Sequence, residues 1–251
     1  MKNLLLVAIT LIVALAACGN KQKNDSGATA SEQVQYIKFI EDYLAFDTAM
    51  MKERIESGVM MSGLEFDHDS LVAVAGKAAN EANTLRDRCI SLIRANKMRQ
   101  LHDLIMQNQK VFTTSPNTTL EREFQLTDMV LDLAAKCYPN DSVKRNTDAV
   151  EMYSWLFFHA RMLESMKGVG DTVVYVHPAH LQIARNLMQA YNNLHDYDKA
   201  IEVGEEAFYM CVQLYIANDE SADIIRQLIS TYEKAGRTDE AANLRKCFNG
   251  H

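Results

Sequence analysis

The chain has 251 residues, 48% of them apolar and 24% charged, enough to build a substantial core. Only 3 prolines and 10 glycines interrupt it, which favours long helices over a turn-rich β architecture. A formal net charge of -7 argues against a nucleic-acid partner, because binding phosphates needs a surplus of Lys and Arg.

From the N-terminus, Lys2 precedes an apolar run from Leu4 to Ala17 that is too short for a membrane-spanning helix but suits a signal peptide. The run ends in "LAAC". An aliphatic residue, two small residues and a cysteine resemble the signal of bacterial lipoproteins. The resemblance implies cleavage after residue 17, acylation of Cys18 and a membrane anchor of several acyl chains. The alternative is an ordinary signal peptide with an incidental cysteine. Gly19 after the cysteine, rather than Asp, is similar to outer-membrane sorting in Gram-negative lipoproteins, facing either the periplasm or the cell surface. Removing residues 1–17 takes away Lys2 alone among the charges, leaving 25 basic and 33 acidic residues, a net of -8. Residues 18–33 carry no aromatic or large aliphatic side chain and read as a lipidated flexible tether.

Helical periodicity then predicts segments at 34–55, 71–95, 97–112, 120–137 and 147–166. "SPNTTLERE" supplies a breaker, Thr119 as a cap and acidic residues in the first turn that follows. "CYPND" and "KGVGDTVVYVHP" are further breaks. "YSWLFFHARML", 153–163, holds the one tryptophan and reads as a helix buried on several faces, with an exposed docking surface as the alternative. Four Asp-Ser/Thr-apolar tripeptides, at Asp47, Asp69, Asp141 and Asp171, resemble an O-glycosylation site of exported bacterial proteins. Asp-Ser and Asp-Thr are also natural helix caps.

The last third contains a repeat. "IARNLMQAYNNLHDYDKAIEV" from Ile183 aligns with "IIRQLISTYEKAGRTDEAANL" from Ile224 at an offset of 41. Ile183/Ile224, Arg185/Arg226, Leu187/Leu228, Tyr191/Tyr232, Asp198/Asp239 and Ala200/Ala241 are identical pairs. Leu187, Tyr191 and Leu194 share one helical face, and small Ala200 sits where two helices must approach closely. This framework resembles the tetratricopeptide repeat. The period of 41 and the "HP" at 177–178 are similar to the longer subclass of kinesin light chains, in which His-Pro introduces the first helix of each unit. Met188 and Ile229 depart from the usual small residue, and Gly204 from the usual aromatic. The resemblance implies an all-α fold, an α-solenoid of stacked antiparallel helical hairpins, with diverged hairpins at 34–146 and repeat units at 147–251. Cys89, Cys137, Cys211 and Cys247 form no CxxC pattern; they are either buried thiols or disulfides, with Cys211 and Cys247 the pair that the repeat favours.

In tetratricopeptide arrays the first helix of each pair lines a concave groove. Carried over, the groove residues here are Gln182, Arg185, Gln189 and Asn192 in one unit, and Asp223, Arg226, Ser230 and Glu233 in the next. Stacked Arg185 and Arg226 would take carboxylates, while Gln189 and Asn192 would pair with the amides of an extended envelope protein or peptide. A solvated face of ion pairs is the alternative. His177 and His180 read as residues opening a helix rather than a metal pair, since no third ligand is spaced to join them. No motif for catalysis, metal or cofactor is present. The reading is therefore a non-enzymatic, membrane-anchored interaction scaffold. The alternatives are an envelope hydrolase using Glu65, Asp67 and His68, or a ligand-sensing lipoprotein.

Overall fold

A computed structural model describes residues 27–62, 67–113, 119–167, 179–213 and 219–249. Cys18, Glu65, Asp171, His177 and Pro178 lie outside them. The described residues form eleven α-helices and no strand. In chain order these are α1 (Ala30–Tyr43), α2 (Thr48–Ser62), α3 (His68–Arg94), α4 (Met98–Gln107), α5 (Gln109–Thr113), α6 (Leu120–Cys137), α7 (Ser142–Lys167), α8 (Ala179–Asn193), α9 (Tyr197–Gln213), α10 (Asp219–Lys234) and α11 (Thr238–Asn249). From α6 onward, each helix packs against the next one described; α8 also touches α10. In the first half α3 is the hub, receiving α1, α2, α4 and α5. No helix among the described residues is long and apolar enough to cross a membrane.

Helix α6 follows its sequence expectation to the residue, with the Thr119 hydroxyl accepting from Arg122 N–H at 3.2 Å. Other elements differ. The first helix starts at Ala30, inside the segment expected to be tether, because Thr29 and Glu32 form a capping box. Ala28 is buried just before it, and its N–H donates to Asn96 Oδ1 at 3.0 Å. Gly27 allows that approach, since a Cβ there would fall 2.2 Å from Asn96 Nδ2.

The single helix expected over 34–55 is two, α1 and α2. Asp47 restarts the chain by accepting from the N–H groups of Ala49 (2.9 Å) and Met50 (3.2 Å). The helix expected over 97–112 also divides. Asn108 turns its side-chain amide onto Leu104 O at 2.7 Å, and short α5 then drives Phe112 into full burial against Tyr43. Helix α7 begins five residues early, capped by Asp141, and runs unbroken across the 146/147 boundary.

Three hairpins close alike. After α3, α8 and α10, a residue with positive φ (Asn96, His195, Gly236) lets the next N–H reach back to a carbonyl five residues earlier. Those bonds are Lys97 to Leu92, Asp196 to Tyr191 and Arg237 to Tyr232.

Two apolar cores result. The first joins Tyr36, Ile40 and Tyr43 to Ile93, Leu101, Ile105, Phe112 and Leu133. The second joins Leu156 and Phe157 to Ile183, Leu187, Met188, Ile201, Ile224 and Leu228. Met152 of α7 belongs to the first core and Leu120 of α6 to the second, so the seam runs between these two helices. The aromatic stretch is split rather than buried. Leu156 and Phe157 face inward, while Trp155 (39% exposed) and Phe158 (55%) face outward on the opposite stripe.

Candidate functional site

Helices α8 and α10 lie side by side, and their 41-residue offset brings equivalent positions next to one another. Gln182 and Gln189 are exposed on α8; Ser230 is half-buried on α10. Gln189 Nε2 donates to Asn193 Oδ1 at 2.8 Å, so its amide is oriented along the helix.

Arg185 and Arg226 do come together, though not as free forks. Both guanidinium groups engage one carboxylate, Asp223: Arg185 Nη1 lies 3.2 Å from Asp223 Oδ2, and Arg226 Nη1 holds Oδ1. The trio keeps one net positive charge. Glu233 is engaged by Arg245 of α11 at 2.6 Å. These partly exposed pairs contribute little stability.

Asn192 departs most from expectation. It is buried, 6% exposed, with Nδ2 donating to Thr231 Oγ1 at 2.9 Å, and the Thr231 hydroxyl donates to Gln227 O. Gln227 Nε2 returns to Arg185 O at 3.2 Å. Asn192 therefore joins α8 to α10 instead of standing free for a peptide. Sequence reasoning missed Thr231 and Gln227. Their only signal is position on the α10 face, and polarity alone does not distinguish a helix-to-helix bond from solvent exposure.

Of the residues of the hydrolase alternative, Asp67 and His68 are described and Glu65 is not. Asp67 caps α3, accepting from Asp69 N–H (3.1 Å) and the Ser70 hydroxyl (3.0 Å). His68 is exposed, with Nε2 2.7 Å from Lys52 Nζ. His180 is fully buried with its ring edge-on to Phe157, centroids 4.7 Å apart, as a packing group of the second core. Among the described residues no group of three or more His, Cys, Asp or Glu could hold a metal ion.

All four described cysteines are free thiols; Cys89, Cys137 and Cys211 are buried and Cys247 is exposed. Of the two alternatives the sequence left open, thiol or disulfide, the structure has thiols, and Cys211 and Cys247, the pair the repeat favoured, are not bonded. Burial pushes the Cys89 thiol up to about 12 and raises that of Cys211, so both stay protonated.

No family model, curated protein or solved structure matches this chain.

Proposed function

We propose that the chain is a lipid-anchored interaction protein of the bacterial envelope, in which a tetratricopeptide-like solenoid holds a segment of a partner protein. The observation carrying this reading is the register of α8 and α10: repeat-equivalent Arg185 and Arg226 meet at a single carboxylate on a polar face. The like-built closures after α3, α8 and α10 support a stack of related hairpins. Gln182, Gln189 and Ser230 offer amide and hydroxyl groups to an extended main chain. The Arg–Asp–Arg trio favours an acidic neighbour without demanding one. Anchoring through Cys18 at the outer membrane rests on the "LAAC" signal and on Gly19.

The test is affinity capture from detergent-solubilised envelope, comparing the parent chain with Arg185→Gln/Arg226→Gln after matching their thermal melts. A partner retained by the parent and lost by the variant supports the face. Equal capture moves the interface elsewhere. Fatty-acid labelling that survives Cys18→Ala would sink the anchor.

A further inference from the structure

One turn beyond Gln189 and Ser230, the C-terminal ends of α8 and α10 meet the first turns of α7 around a hollow of about 640 Å³. Arg145, Asn146, Asn192, Asn193, His195 and Lys234 are among its lining residues, and among the described residues no carboxylate lines it.

Its charge is uncompensated. Neither Arg145 nor Lys234 forms an ion pair with any described residue, in a chain whose net charge is -7. Two buried polar atoms are also unmet by protein groups. Asn192 spends Nδ2 on Thr231, but its Oδ1 receives no donor. Arg145 Nε, a donor, has no acceptor. Buried polar groups are ordinarily satisfied, so an open acceptor and an open donor on two residues lining one hollow point to an incoming group.

The rim is held in shape. Gln189 donates to Asn193, Asn193 to Asn146 Oδ1 at 2.9 Å, and Asn146 to Ser142 O at 2.7 Å, so a chain of amides ties α8 to α7. His195, at φ 60°, has its ring fixed by Tyr197 OH, 2.8 Å from Nδ1.

We propose that this hollow binds an oxyanion, a carboxylate or phosphate group, that carries an N–H or O–H donor beside its charge. Arg145 and Lys234 neutralise the oxyanion, and Asn192 Oδ1 accepts the adjacent donor. A cation is repelled, and an apolar group leaves the unmet atoms as they are. An acylated amino-acid carboxylate and a hydrogen phosphate share the required chemistry. The site stands on its own geometry, whether or not the neighbouring face holds a partner segment.

Calorimetric titration of the detergent-purified full chain at low ionic strength tests this with three probes: N-acetylglycine, inorganic phosphate and acetate. Saturable binding of N-acetylglycine or phosphate is expected, at least ~10-fold tighter than acetate, which has no donor. Whichever binds names the source of the oxyanion. Arg145→Gln and Lys234→Gln should each weaken binding ~10-fold, while Lys38→Gln, at an exposed position of α1, leaves it unchanged. Asn192→Leu, with folding checked by thermal melt, should erase the preference over acetate. The proposal is overturned if neither probe saturates, if acetate binds equally well, or if both cation variants bind like the parent.

Discussion

At the scale of single residues, Met188 and Gly204 explain each other. A large, flexible side chain at the first position faces a residue with no side chain at the second. Met188 is fully buried, and a Cβ on Gly204 would meet its Cε at 2.6 Å and Leu228 Cδ1 at 2.9 Å. The flexible thioether occupies the space that glycine leaves. Gly204→Ala should therefore cost about 1–3 kcal/mol through overpacking. Met188→Ala should cost about 2–4 kcal/mol through a cavity. The double variant should fall short of their sum by about 1 kcal/mol in urea unfolding, and strict additivity would deny the coupling. Both departures were visible in the sequence; that they compensate was not, because only packing puts them in contact. Gly236 makes a simpler case. At φ 76° with open space around it, Gly236→Ala should cost about 1 kcal/mol from backbone strain alone.

At the scale of elements, a buried polar clasp joins α4 to α7. His102 is fully buried on α4, with Nδ1 3.1 Å from Asp103 Oδ1 and Nε2 3.1 Å from Asp148 Oδ2 of α7. Lys144 pairs with the other Asp148 oxygen, and the Tyr138 hydroxyl donates to Asp103 at 2.8 Å. Burial and then the Asp103 bond raise the Tyr138 phenol, so it remains a donor at any ordinary pH. Because Asp148 is 1% exposed, taking away its imidazole partner leaves a buried carboxylate half-compensated. His102→Leu should destabilise the chain by about 3 kcal/mol in urea unfolding. A loss under 1 kcal/mol would mean that Lys144 alone suffices. Cysteine packing is tested at the same scale. Among the four described thiols, a maleimide should modify only Cys247 in the native chain and all four in denaturant. The bounds of α6 followed from apolar periodicity and the Thr119 cap, and those of α3 within three residues, whereas α7 starts five residues early. The breaks at 44–47 and at Asn108 were not legible, since neither contains proline or glycine. They exist because Tyr43 and Phe112 must both reach the first core.

At the scale of the molecule, α1 is strapped to α6 by charge. Lys136 Nζ lies 2.6 Å from Glu32 and 2.7 Å from Asp132, whose other contact is the Tyr36 hydroxyl. The Lys136 bond, followed by the Thr29 cap, holds the Glu32 carboxyl at about 2 instead of 4.5. Burial pushes Asp148 up, but bonds from His102 and Lys144 outweigh it and hold that carboxyl below 3.8. Both are depressed in the folded chain, so the stability from Glu32 is whole above pH 4.5 and drains as pH falls toward 2, and that from Asp148 is likewise lost on acidification below 3.8. The thermal midpoint should drop through that window, and Glu32→Gln or Asp148→Asn should flatten the drop. An unchanged acid limb in both variants would refute the assignment. The sequence by itself determined the all-helical class, most helix positions and the 41-residue register. Periodicity, capping residues and repeated identities are local properties that survive in a linear string. Only the tertiary structure decided that Asn192 bonds Thr231 and that Arg185 and Arg226 share Asp223. The same holds for the hollow gathered from α7, α8 and α10. Each of these depends on which side chains of distant segments come into contact, a matter of helix rotation and interhelical distance that no single helix encodes.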